Sequence, residues 1–148
     1  MTAITVETAS PARVSSIPAA AANRTRWLGR ILTGIAIVFL AMDTVIKLVG
    51  ASVAVDGTVQ LGYGAHQVIT IGMLELLGLL LYLVPRTATL GVVILTGYLG
   101  GAIASNLRLE LPLFSHVLFP TYVAALLWGG LYLRDARVRR FFASSHKE

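Results

Sequence analysis

Four long apolar runs, separated by short polar breaks, set the pattern of this chain. The first runs from about Leu28 to Val49, the second from about Ala65 to Val84, the third from about Thr87 to Ser105 and the fourth from about Phe114 to Leu133. Each is close to the length at which a helix, rising about 1.5 Å per residue, crosses a hydrocarbon core of about 30 Å. In that solvent a backbone must satisfy its own hydrogen bonds, which selects helices over open strands. The pattern therefore predicts four membrane-spanning α-helices.

The breaks predict how the helices follow one another. Gly50, Asp56, Gly57, Gly62 and Gly64 mark a polar connector after the first span, and Pro85-Arg86 leave room only for a tight turn between the second and third. Those two helices are expected to be antiparallel neighbours. Asn106 to Pro112 form a second short loop, and Arg134-Asp135 stop the fourth span. Residues 1–26, rich in Ala, Ser, Thr and Pro without periodicity, read as a disordered tail. Residues 27–134 form the four-span domain and 135–148 a basic tail. Ser52-Val53-Ala54 has the small residues of a signal-peptide cleavage site, but the apolar run before it is too long and carries Asp43 and Lys47, so the first run is read as a retained span.

Composition agrees with the pattern. Of 148 residues 56% are hydrophobic and 13% charged, more apolar surface than a single soluble core of this size could hide. The net charge of +5 would suit nucleic acid, but the basic residues flank apolar runs and form no stripe with interleaved aromatics, so no nucleic-acid partner is expected. Their distribution sets the orientation instead. Arg13, Arg24, Arg26, Arg30, Arg86, Arg134, Arg137, Arg139, Arg140 and Lys147 belong to one face, and Arg108 with Lys47 to the other. Basic residues are held on the cytoplasmic side. The expected fold is thus an all-α integral membrane four-helix bundle, up-down-up-down, in the cytoplasmic membrane with both termini cytoplasmic. Trp27, Tyr82, Trp128 and Tyr132 fall at the inner interface as an aromatic belt. The absence of cysteine removes disulfides, thiolate chemistry and thiol-ligated clusters, so any redox role needs a bound cofactor.

Helices in lipid associate through close backbone approach and polar bonds. Gly97, Gly101 and Ser105 in the third span and Thr121, Ala125 and Gly129 in the fourth offer small-residue ridges at four-residue spacing, and Gly72 and Gly78 flank Glu75 in the second. They predict tight packing. The charged residues carry more information, since each costs about 2.5–3.5 kcal/mol near a helix centre on insertion scales. Asp43 and Lys47 lie about 9 and 3 Å below the outer end of the first span, and Glu75 about 15 Å below that of the second. Asp43 and Lys47 are one turn apart on one face, in the favourable acid-before-base order. Glu75, with no charged partner in its own span, should face the bundle, either protonated or paired with Lys47 or Arg108. Asp43, Lys47, Glu75, Asn106, Arg108 and His116 together predict an outward-facing polar pocket for a small polar or redox headgroup; a purely structural polar lock fits the same residues. His66 and His116 lie at the membrane edge, where paired haem ligation is not favoured, and no spacing suggests a metal site.

Several short motifs, taken in order, resemble the DoxX-like family of small four-helix bacterial membrane proteins. They are Lys47-Leu48, Met73-Leu74-Glu75-Leu76-Leu77-Gly78, Gly97-Tyr98-Leu99-Gly100-Gly101-Ala102-Ile103-Ala104, Arg108, Phe114-Ser115-His116-Val117-Leu118-Phe119-Pro120, and Trp128-Gly129-Gly130-Leu131-Tyr132-Leu133-Arg134-Asp135. The resemblance covers roughly residues 28–140. The family takes its name from a subunit of a thiosulfate:quinone oxidoreductase, while most members have no assigned activity, and it supplies no catalytic residues to carry over. It implies an accessory subunit of a quinone-linked redox system, with quinone as the cofactor to test. A non-enzymatic bundle that assists assembly by binding a membrane protein, or a second copy of itself, stays open. A small-solute or proton pathway through Glu75 is a third reading.

Overall fold

The computed structural model describes residues 19–144 and is helical throughout, with short turns between the elements. Six α-helices follow in order: α1 Ala19–Leu48, α2 Ser52–Gln60, α3 Gln67–Leu83, α4 Ala88–Arg108, α5 Phe119–Arg134 and α6 Ala136–Ser144. A π-helical turn, Leu113–Val117, leads into α5. Three stretches are long and apolar enough to cross a membrane: Asn23–Leu48, Ala88–Arg108 and Leu113–Arg134. The fourth apolar helix, α3, has 17 residues, about 26 Å, and sits at the short end of the spanning range.

The breaks stop the helices for local reasons. Gly50 and Gly62 close α1 and α2 in the left-handed region, at φ +64° and +85°, where a Cβ would be strained. Val84 is extended, with ψ 119°, because the ring of Pro85 disfavours helical geometry in the residue before it.

The first polar connector is not plain loop, since Ser52–Gln60 forms α2. Helix α1 begins at Ala19, so the last part of the segment read as tail is helical; the reading of residues 1–18 lies outside the described residues. The basic segment after Asp135 likewise begins as a helix, α6.

Side-chain contacts set the packing. Tyr82 lies against Gly91 and Gly78 against Leu95, so α3 and α4 run antiparallel across the Pro85 turn. Thr33, midway along α1, meets Tyr82, and Lys47, near its last turn, meets Gly72, making α1 and α3 antiparallel. The pairs Gly29–Leu133 and Phe39–Phe119 do the same for α1 and α5. The bundle therefore has a terminal end, where α1 begins and α5 finishes, and a loop end carrying α2 and the π turn.

The core is apolar, built on Leu40, Leu79, Val92, Leu95, Leu127 and Leu131. Tyr82, read from the sequence as a lipid-interface aromatic, is instead fully buried in this core. Its Oη donates to the Leu127 carbonyl at 2.9 Å and lies 3.4 Å from Thr33 Oγ1, so one side chain ties α3 to α1 and α5. A buried phenol needs such partners, which an interface phenol finds in water.

Candidate functional site

The site starts from three charges that the sequence places in apolar helices. Near the loop end of α1, Asp43 and Lys47 stand one turn apart. Gly72 gives α3 room there, since a Cβ on it would fall 2.9 Å from Lys47 Cβ. Glu75, one turn further along α3, then reaches the same ammonium. Lys47 Nζ donates to Asp43 Oδ2 at 2.5 Å, to Glu75 Oε2 at 2.9 Å and to Tyr98 Oη at 2.5 Å. Tyr98 Oη donates onward to Glu75 Oε2 at 3.1 Å. All three ammonium protons are used, and helices α1, α3 and α4 are joined at one point.

Burial divides the cluster by role. The Glu75 side chain has no exposed surface, Lys47 keeps 14% and Asp43 35%. Among the described residues Glu75 Oε1 finds no hydrogen-bond partner and is buried, as is Thr44 Oγ1 nearby in sequence on α1. Two carboxylates face one ammonium, so with both acids ionised the cluster holds one negative charge that it does not neutralise. In low dielectric such an excess matters far more than it would in water.

Against this cluster lies a cavity of about 480 Å³ at the loop end, within the size range of small-molecule sites. Asp43, Lys47 and Tyr98 reach its surface, while Glu75 stands behind them. Phe39, Leu40, Ile71, Leu74, Leu99, Phe119 and Val123 supply apolar wall, and Gly97, Gly101 and Ala102 leave the α4 side open. Thr58 and Tyr63, from α2 and the turn after it, and Ser105, Asn106, Ser115 and His116 add polar groups. Tyr63 Oη and Ser105 Oγ are 2.7 Å apart, Asn106 Nδ2 donates to the His116 carbonyl at 3.2 Å, and Ser115 Oγ lies 2.8 Å from His116 Nδ1. The π turn presents Ser115 and His116 here; such turns recur at functional sites.

Of the residues singled out in the sequence, Asp43, Lys47, Asn106 and His116 line the cavity and Glu75 backs it. Arg108 does not line it. Its Nη2 donates to the Leu61 carbonyl at 2.6 Å, lying against Gly62, so it fastens α4 to the end of α2 rather than meeting Glu75. Gly97 and Gly101 do not pack a neighbouring helix, because a Cβ on either would meet nothing within 4 Å. Tight approaches between helices lie at Gly72 and Gly78 and, outside the expected ridges, at Gly29, Gly91 and Gly130. Tyr98, Thr58, Tyr63 and Ser105 escaped sequence reading as site residues. Among the described residues no group of three or more metal-ligating side chains is placed to hold a metal ion.

The DoxX-like family model matches residues 31–130, a stretch that holds every residue of the charged cluster and the cavity wall. The chain belongs to the DoxX-like family. No curated protein and no solved structure matches it. Family membership and the long apolar helices together make it a multi-pass membrane protein.

Proposed function

We propose that this DoxX-like protein spans the cytoplasmic membrane four times with both termini inside, and serves as an accessory subunit of a quinone-linked redox system. Its loop-end cavity would hold the ring headgroup of a lipid-soluble quinone. The observation that carries this reading is an apolar-walled cavity of about 480 Å³ whose polar corner is Asp43, Lys47 and Tyr98. A quinone ring is flat and apolar on its faces and carries carbonyl acceptors at its rim. The cavity offers the matching set: apolar side chains for the faces and N–H and O–H donors at the edge.

The residues present fit the group. Gly97 and Gly101 keep one wall flat, where any side chain would occupy the space a ring needs. Lys47 and Tyr98 provide donors at one end, and Ser105, Asn106 and His116 provide polar groups near the mouth. A bound quinone accepts two electrons and two protons. The electrons must come from a partner with its own redox group, since this chain has no cysteine to carry them. What these residues contribute is binding, orientation and a place to hold a proton: the Asp43–Lys47–Glu75–Tyr98 cluster has one more acid than base and meets the cavity through Asp43 and Tyr98. A transmembrane proton path receives no such support. Beyond Glu75 toward the terminal end, Leu40, Leu79, Leu95 and Leu127 close the core with apolar side chains.

The test is retention of quinone by protein purified in mild detergent, read by absorbance and mass spectrometry of the organic extract, followed by rebinding of a short-chain quinone. The wild type should retain it and Gly101→Leu should lose most of it. Gly129→Leu, on α5 away from the cavity, should bind as the wild type does. Equal binding by Gly101→Leu and the wild type, or no binding by either, refutes the reading and leaves the cluster as a structural lock between helices.

A further inference from the structure

The terminal end of the bundle holds a second concavity, about 270 Å³, whose chemistry differs from the first. Arg26, Arg30, Arg134 and Asp135 line it above an apolar floor of Ala88 and Leu131. The arginines converge for structural reasons. Arg26 and Arg30 are one turn apart on α1 and so share a face. Arg134 ends α5, and α5 comes close to α1 here because Gly29 and Gly130 lack side chains; a Cβ on Gly130 would fall 2.4 Å from Thr33 Oγ1. Arg134 is fixed in place. Its Nη2 donates to the Tyr82 carbonyl at 3.3 Å, and its guanidinium lies 4.8 Å from the centre of the buried Tyr82 ring.

None of the described residues pairs with the free guanidiniums of this concavity. Among the described residues both ion pairs belong to Lys47, at the other end of the bundle. Arg26 and Arg30 are exposed and lie in no ion pair with any described residue. Asp135 accepts a bond from the Arg137 backbone N–H at 2.8 Å and is within salt-bridge distance of none of the three guanidiniums. Three cations thus face one anion in a recess. Trp27, 64% exposed beside Arg26, and Tyr132, 44% exposed, put the recess at the depth where amphipathic aromatics meet headgroups.

We propose that this concavity is a binding site for a phosphodiester of net negative charge, held by Arg26, Arg30 and Arg134, and supplied by the headgroup of an anionic membrane lipid. Guanidinium forks match phosphate oxygens two at a time, and the apolar floor of Ala88 and Leu131 accommodates the glycerol and first acyl carbons that follow a lipid phosphate. The site is separate from the loop-end cavity and does not depend on what that cavity binds.

The experiment is native mass spectrometry of the full chain released from detergent micelles, titrated with phosphatidylglycerol, phosphatidylcholine or inorganic phosphate. Phosphatidylglycerol should bind, phosphatidylcholine should bind more weakly because its choline cation opposes the arginines, and excess inorganic phosphate should not displace the lipid. Arg26→Gln and Arg30→Gln should each weaken phosphatidylglycerol binding about fivefold. Neither side chain has an ion-pair partner among the described residues, and unchanged helicity by circular dichroism checks that the variants fold. Arg137→Gln, on α6 outside the concavity, should have little effect. Undiminished lipid binding in the double variant overturns the proposal, as does an equal loss in Arg137→Gln, which would mean only diffuse attraction to basic charge. Displacement by inorganic phosphate would overturn the lipid as the source.

Discussion

Lys47 is the residue on which the loop-end cluster turns. It neutralises charge on two carboxylates, one of them with no exposed surface, and it occupies the Tyr98 hydroxyl. Removing one partner of a buried pair leaves the other charge without compensation, which typically costs about 3–5 kcal/mol. Lys47→Met should therefore lower the thermal stability of the detergent-purified protein strongly. Glu75→Gln should be milder, because Asp43 still pairs with Lys47 and the amide can still accept from the Lys47 and Tyr98 donors. Combining Lys47→Met with Glu75→Leu should recover much of the loss, since Asp43 is partly exposed to the cavity and can be solvated there. A Lys47→Met protein that melts with the wild type would show that the cluster contributes nothing to the fold. This part of the site was legible in the sequence because a charge in an apolar run stands out by its insertion cost. Tyr98 was not, since a tyrosine in a span is unremarkable until a helix rotation brings it to a particular partner. One signal was present all the same. Glu75 and Tyr98 lie equally far from the Pro85 turn, as do Gly78 with Leu95 and Tyr82 with Gly91, so the register of an antiparallel hairpin places them opposite each other. Arg108 misled for the opposite reason: its long side chain can reach several partners, and only the position of α2, which the sequence read as loop, reveals that the Leu61 carbonyl is the nearest.

At the scale of elements, glycines in these helices serve two distinct purposes that spacing alone does not separate. Gly91 lies against backbone: a Cβ there would fall 2.3 Å from Tyr82 N and 2.6 Å from Tyr82 Cα. Main chain cannot rotate aside as a side-chain end can, so α3 and α4 would have to separate. Overpacking of this kind costs about 1–3 kcal/mol. Gly97, on the same helix, faces the cavity with nothing within 4 Å. Gly97→Ala should therefore hold or raise the melting temperature, because alanine is the better helix former, while Gly91→Ala should lower it. The comparison is internal to α4 and needs only thermal melts of two single variants. Similar destabilisation in both would mean that Gly97 packs a helix after all, as the four-residue ridge of Gly97, Gly101 and Ser105 first suggested. Four-residue spacing identifies a face but not what the face meets. Here α2 and the π turn hold the loop end apart, and the ridge opens onto a cavity.

For the molecule as a whole, the two ends of the bundle differ in charge as sharply as they do in structure. Arg24, Arg26, Arg30, Arg86, Arg134, Arg137, Arg139 and Arg140 gather toward the terminal end, against Arg108 and the paired Lys47 toward the loop end. Membrane insertion retains arginine and lysine in short flanks on the cytoplasmic side, and the proposed orientation of the loop-end cavity rests on this asymmetry. If the termini are inside, the cavity draws its ligand and any proton from the outer leaflet side, and the arginine recess meets the anionic lipids of the inner one. The natural absence of cysteine makes the orientation directly measurable, because a single introduced thiol carries all the label. Gln60→Cys, exposed at the end of α2, should react with a membrane-impermeant maleimide in intact cells. Ala136→Cys, exposed at the start of α6, should react only after the membrane is permeabilised. The reverse pattern would turn the bundle over and place the cavity on the cytoplasmic side, where its redox partner would have to be sought. Labelling of both thiols from outside would mean an odd number of crossings between the two positions is replaced by an even one, with α3, the shortest of the apolar helices, as the element that fails to span.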